Sequence, residues 1–130
     1  MTLVNQTLLV TGGAGFIGSA FTSHQAEHNR VVVLDSMTYA GDTTRLHECE
    51  STKLEFVRGD ICDDKLVTQL LETYQPDAII NFAAESRVDR SIDGALDFLK
   101  TNVEGTMVLL RCITEYWRSL TEFKRDALRF

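Results

Sequence analysis

Proline is nearly absent. The single Pro76 leaves long stretches free to run as helix or strand without interruption. Cysteine is scarce and unpatterned: Cys49, Cys62 and Cys112 are odd in number and form no C-x-x-C, which excludes a disulfide framework and argues against structural zinc. Such usage suits a reducing compartment, and a cytoplasmic location is expected. No apolar run approaches the ~20 residues of a membrane span. The start, Met1 to Gln6, has neither a basic n-region nor a long apolar h-region, so no signal peptide is expected. An excess of positive charge is missing too. The net charge of −6 argues against nucleic acid or an anionic membrane as a general partner. Repeats, low-complexity tracts and linkers are lacking, so the 130 residues read as one domain.

What is present is concentrated near the start. Leu8 to Val10 reads as a buried strand that runs into a glycine cluster, and an amphipathic segment follows from Ser19. The glycines fit two spacings, Gly13-x-Gly15-x-x-Gly18 and Gly12-x-x-Gly15-x-x-Gly18. Strand, glycine turn and helix is the context in which such spacing binds a dinucleotide. One glycine permits a tight turn, one lets the backbone approach a pyrophosphate, and one lets helix and strand pack closely. The first N–H groups of the helix then point at the phosphates, aided by the helix dipole.

The next elements extend this unit. Phe16 to His28 reads as the first helix. His24 and His28 lack the glutamate of a zinc motif and read as its solvated end. Val31 to Leu34 is a β-branched second strand ending at Asp35, 17 residues beyond Gly18. A carboxylate there accepts hydrogen bonds from the adenosine ribose. It also disfavours the 2′-phosphate of NADP, since a like-charge pair at contact repels by up to ~4 kcal/mol before screening. No Arg or Lys stands at positions 36 to 44 to offset it, so NAD is the expected cofactor.

Further along, a short helix is expected over Thr43 to Cys49 and a third strand over Leu54 to Val57, with Gly59-Asp60-Ile61 at its carboxyl end. Asp63 reads as the N-cap of a helix from Asp64 to Tyr74, stopped by Pro76. Ala78 to Ala84 reads as a fourth strand, apolar enough to be covered on both faces. A long helix is expected from Gly94 to Leu120. Its stripe of Leu96, Leu99, Val103, Met107, Leu110, Ile113, Trp117 and Leu120 suits a core or an interface. Gly105 interrupts it at a cost of ~1 kcal/mol, which points to close packing. Ala127 to Phe130 reads as the stub of a fifth strand. Alternating strands and helices with right-handed crossovers give an α/β, doubly wound parallel sheet of Rossmann type, with order 3-2-1-4 and the stub outside the fourth strand.

With these motifs in hand, the chain resembles the amino-terminal part of the extended short-chain dehydrogenase/reductase family, and within it the dTDP-glucose 4,6-dehydratases. The residues that carry the likeness are Thr11 to Ala20, Asp35 with Thr38-Tyr39-Ala40-Gly41, Gly59 to Asp63, Ala83 to Ile92, and Thr101-Asn102 with Gly105-Thr106. The resemblance implies a bound NAD that takes a hydride from the sugar C4 of dTDP-glucose and returns it to C6 after water leaves across C5–C6. It implies that Gly12, Gly15 and Gly18 form the phosphate turn, with Phe16 and Ile17 along the pyrophosphate. Asp35, Ser36, Met37 and Thr38 would hold the adenosine ribose, and Asp60 and Ile61 would meet the adenine. Phe82, Ala83, Ala84, Glu85, Ser86 and Thr101 would follow the rest of the cofactor. Ser86 would also touch the nucleotide-sugar substrate, Asn102 matches an asparagine of the active-site helix, and the 94–120 helix would form part of a homodimer interface.

Two departures stand out. Arg87 occupies a position where the family usually has histidine. The Tyr-x-x-x-Lys of the family's catalytic base is missing, because Thr43, Ala78 and Leu120 stand four residues after the three tyrosines. No catalytic residue is therefore assigned. The expectation is the cofactor part of a longer dehydratase, without its sugar-binding domain and inactive alone. A stand-alone NAD-binding module, a piece of another nucleotide-sugar epimerase or dehydratase, and an interaction protein acting through the long helix remain alternatives.

Overall fold

The computed structural model describes residues 4–38, 41–42, 44–47, 52–86 and 92–130. Tyr39, Ala40, Thr43, Cys49 and Arg87 to Ser91, which figure in the sequence reading, lie outside them. The first strand, β1 (Thr7–Thr11), leads through the glycine turn into α1 (Phe16–Ala26). Next come β2 (Arg30–Asp35), a single turn α2 (Thr44–His47), β3 (Leu54–Arg58), α3 (Asp64–Tyr74) and β4 (Ala78–Asn81). The four strands form one parallel sheet in the order β3-β2-β1-β4.

Alternation along the strands divides the core in two. Leu8 and Val10 of β1 share a face with Val31 and Val33 of β2, in a cluster with Ala26 of α1 and Leu46 of α2. Leu9, Val32, Leu34 and Ile79 face the other way, onto Val67, Leu70 and Leu71 of α3 and the long helical arm that follows β4. Each fully buried valine or leucine contributes roughly 1.5–3 kcal/mol, so both helical layers are firmly seated. The register sets Thr11 opposite Leu34 and Asn81, and Asp35 opposite Arg58, so the strand ends form one rim.

Local signals account for the boundaries. The Asp63 side chain accepts from Leu66 N at 3.1 Å and caps α3. That helix closes at Gln75 in a left-handed conformation, φ 46°, just before Pro76. The fourth strand is shorter than expected, because β4 ends at Asn81 and the chain then turns along the rim.

The predicted continuous helix over 94–120 is three pieces: α4 (Ala95–Leu99), a π-helical segment (Lys100–Gly105) and α5 (Thr106–Ser119). A π segment widens the turn, and side chains occupy two of its carbonyls. The Thr106 hydroxyl donates to Asn102 O at 2.8 Å, and the Cys62 thiol lies 3.5 Å from Lys100 O. The face toward the core is Val108, Leu109, Cys112 and Ile113, with Gly105 buried at its upper end. Most of the predicted stripe points outward: Leu96, Leu99, Val103, Met107, Leu110 and Trp117 are all exposed. Only Ile113 of the stripe is in the core. An unpredicted turn, α6 (Glu122–Ala127), follows, held by Trp117 Nε1 donating to Arg125 O at 3.1 Å. The fifth-strand stub shrinks to one parallel bridge, Arg129 beside Ala78. Among the described residues no helix is long and apolar enough to cross a membrane.

Candidate functional site

A cleft opens along the rim of strand ends, where ligands of open α/β sheets bind. Its empty space is about 700 Å³ with the open mouth included. The glycine turn forms one side. Gly12 has φ 67°, and a Cβ there would stand 2.5 Å from Phe82 C and Ala83 N. Gly18 is closed off differently, because a Cβ would run into Gly12 O. Gly15 is the least crowded of the three and lines the cleft beside Gly12. The working spacing is thus Gly12, Gly15, Gly18, while Gly13 serves packing against Val33 and Thr22. At the start of α1, Ser19 N bonds to Gly15 O at 2.9 Å. The N–H groups before it belong to the unpaired set of every helix start and suit an anion.

Asp35 is buried at the end of β2 and has two tasks. Its Oδ2 accepts from Ala14 N at 3.0 Å and its Oδ1 from Met37 N at 2.8 Å. The carboxylate therefore ties the glycine turn to β2 and folds its own turn. Each carboxylate oxygen keeps a second lone pair, so it can still accept from a ligand hydroxyl.

Beyond β4, Asn81 Oδ1 accepts from Thr11 Oγ1 at 2.6 Å and from Ala83 N at 3.0 Å. This bends the chain so that Ala83 passes Gly12. Asn102, in the π segment, then grips one residue of that chain at both its backbone groups. It accepts from Glu85 N at 2.8 Å and donates to Glu85 O at 2.9 Å.

Most of the sequence-predicted residues converge. Gly12, Gly15, Asp35, Ser36 and Thr38 line the cleft on one side of the turn. Asp60, Ile61, Phe82, Ala83, Ala84, Glu85 and Thr101 complete it. Five others are not lining side chains. Phe16 and Ile17 are exposed on a shallow neighbouring groove with Ser23 and Arg45, so only their backbone faces the turn. Gly18 is buried, Met37 packs against the core cluster on the α1 face, and Ser86 is exposed just past the rim. Leu34, Gly41 and Gly59 line the cleft without having been assigned to the cofactor. A Cβ on Gly41 would lie 3.2 Å from Asp35 Oδ1, so its smallness keeps the acid accessible. Arg45, one residue past the window searched for cations, comes within 3.5 Å of Ala14 O.

The charge of the site is one-sided. Asp35, Asp60 and Glu85 are among its lining residues, and none of the described lining residues is cationic. Phosphates there would be met by backbone N–H groups and the helix dipole. The Cys62 thiol, behind the cleft, is pushed up to about 11, mainly by burial and then by the Asp60 charge. It stays protonated and is a poor nucleophile.

The two described tyrosines are far from this chemistry. Tyr74 and Tyr116 sit toward the opposite edge of the sheet, Tyr74 under the Arg30 guanidinium and Tyr116 beside Pro76 and Asp77. Both hydroxyls are raised in pKa, Tyr74 first by its hydrogen bond to Glu55 and Tyr116 first by burial. Neither is a base for the cleft.

The sheet order, the glycine turn and the rim cleft define a nucleotide-binding α/β fold of Rossmann type. The chain belongs to the GDP-mannose 4,6 dehydratase family, whose model matches residues 9–127. A dTDP-glucose 4,6-dehydratase of Xanthomonas campestris pv. campestris is 52% identical over 126 residues, 95% of this chain and 36% of that protein. Among solved structures, dTDP-glucose 4,6-dehydratase DesIV of Streptomyces venezuelae, with NAD and TYD bound, is 47% identical with a TM-score of 0.76, over 85% of this chain and 36% of its own. A UDP-glucose-4-epimerase of Stenotrophomonas maltophila, with bound NAD, is 30% identical with a TM-score of 0.77, over 86% of this chain and 34% of its own. The chain thus spans about a third of the length of the relatives it matches.

Proposed function

We propose that the rim cleft holds NAD, and that these residues are the cofactor part of a dTDP-glucose 4,6-dehydratase. The observation that carries the reading is the meeting of Gly12, Gly15 and Asp35 in one cleft with no cation among its described lining residues. The bound NAD of DesIV and the 52% identity to the Xanthomonas dehydratase support it. When bound, NAD supplies a hydride acceptor that is regenerated within the reaction.

This chain's residues bind and orient it. The backbone N–H groups at Phe16 and Ile17 face the pyrophosphate. Asp35, with Ser36, Met37 and Thr38 around it, takes the adenosine ribose and disfavours a 2′-phosphate. Asp60 and Ile61 flank the adenine, while Phe82 to Ser86 and Thr101 follow the nicotinamide half. Ser86, exposed at the mouth, reaches the nucleotide-sugar. The outward stripe from Leu96 to Trp117 packs on a second copy of the chain, and the protein works in the cytoplasm.

Calorimetric titration with NAD and NADP tests the cofactor reading. Saturable binding of NAD, at least about tenfold tighter than NADP, is expected from an unscreened like charge beside the ribose. Equal binding of both removes the role given to Asp35, and no binding of either removes the cofactor reading. Sedimentation showing only monomer at high concentration removes the dimer.

A second reading has its own support. The tyrosines of this sequence lack a lysine four residues on, so these residues hold NAD without completing the reaction. No 4-keto-6-deoxy sugar is expected from the chain alone, and its appearance in a product assay overturns this.

A further inference from the structure

We propose that Gly105 is a positioning residue for the adenosine side of the cleft: its missing side chain lets Ile61 stand under the π segment as that wall. The proposal rests on the dinucleotide reading above. Ile61 is 3% exposed yet lines the cleft. It follows β3, and β3 neighbours β2 in the sheet. Ile61 therefore flanks the Asp35 side of the cleft, where the adenosine ribose is held, and not the Glu85 side.

Gly105 ends the π segment and is buried directly against this wall. A Cβ there would lie 2.5 Å from Ile61 Cδ1 and 2.6 Å from Ile61 Cγ1. Ordinary carbon contacts need about 3.5–4.0 Å, so the isoleucine would have to move by roughly 1 Å. Its escape routes are few. Its turn is tied by Cys62 N to Asp60 Oδ1 at 2.8 Å and by Asp63 N to Asp60 O at 3.0 Å. It belongs to the same packed cluster as Val67, Leu109 and Cys112. The open direction is the cleft. The same segment brings Thr101 to the cleft, so one piece of helix both supplies a wall and aligns another.

The test is NAD binding to the 130-residue chain and its variants, with the Ile61 δ1 methyl group followed by NMR. Gly105→Ala is expected to weaken NAD by about tenfold or more, the scale of an overpacked site. In the unmodified chain NAD should move the Ile61 δ1 resonance through the adenine ring current, and in Gly105→Ala that shift should shrink. Removing the isoleucine makes room for the new Cβ, so Gly105→Ala with Ile61→Ala should bind within about threefold of Ile61→Ala alone. A role confined to stability lowers the melting temperature without this coupling.

If Gly105→Ala does not fold, Ile61→Ala carries the test, with NAD weakened ~threefold or more by the lost wall contact. Unchanged NAD affinity in whichever of the two variants carries the test, while the parent chain binds, overturns the proposal and leaves the cofactor reading standing. A parent chain that does not bind NAD takes down both.

Discussion

The polar contacts at the two edges of the sheet differ in what they do. At the amino edge, Arg30 pairs with Glu55 and stacks 5.1 Å over the Tyr74 ring, and Thr7 N donates to Asp77 Oδ2. These partners stand at the surface, where an ion pair contributes little and fades with salt. At the carboxyl edge, Asp35, Asn81 and Asn102 are buried or half-buried and all reach main-chain groups of loops. Breaking such a bond leaves a polar group unpaired, which costs more than the bond contributes. The amino edge holds strands that hydrophobic packing has already placed. The polar side chains of the carboxyl edge shape the loops of the cleft.

Mutations along both edges should sharpen this contrast. The largest effect is expected from Gly12→Ala, which combines a left-handed backbone with a Cβ pressed on Phe82 and Ala83. A loss of about 3 kcal/mol or more is expected in urea unfolding, with NAD binding abolished. A fully stable, NAD-binding variant would break the account of the turn. Next comes Asn102→Ala, which frees both backbone groups of Glu85 and should cost about 1–3 kcal/mol. Here NAD affinity should fall with stability, since the released strand end lines the cleft.

The smallest effect belongs to Glu55→Gln. The Arg30 hydrogen bond, followed by that of Tyr74, holds the Glu55 carboxyl below its ordinary value of 4.5. A lowered folded pKa stabilises the protein above the unfolded value, and that contribution disappears as pH falls through the folded one. The variant should therefore be slightly weaker at pH 7, equal to the parent well below pH 4, and equal again in molar salt. A large, salt-independent loss would erase the distinction between the edges.

The residues that place strands were legible in the sequence. Val31 to Leu34, the Asp63 cap and the Gly12–Gly18 spacing act locally or through simple periodicity, and the strand order followed from crossover chirality. The π segment was not legible, because one widened turn barely disturbs a three-four spacing of apolar residues. The exposure of the Leu96–Trp117 stripe was hidden for a related reason. The same helix carries Val108, Leu109, Cys112 and Ile113, and periodicity reveals that faces exist but not which one is covered. The grip of Asn102 on Glu85 joins residues 17 apart, a contact that periodicity does not encode. Within the site, side chains that line a surface were easier to anticipate than Gly41 and Gly59, whose contribution is the space they leave.

The double task of Asp35 constrains how a protein of this build can change over generations. An acid that only contacted a ribose could be exchanged for a neutral residue whenever a phosphorylated cofactor became advantageous. Here the same exchange would also release Ala14 and Met37, loosening the turn that any dinucleotide needs. On the proposed reading of Asp35, a lineage drifting toward the phosphorylated cofactor must first find a second anchor for that turn, so preference is inherited together with architecture.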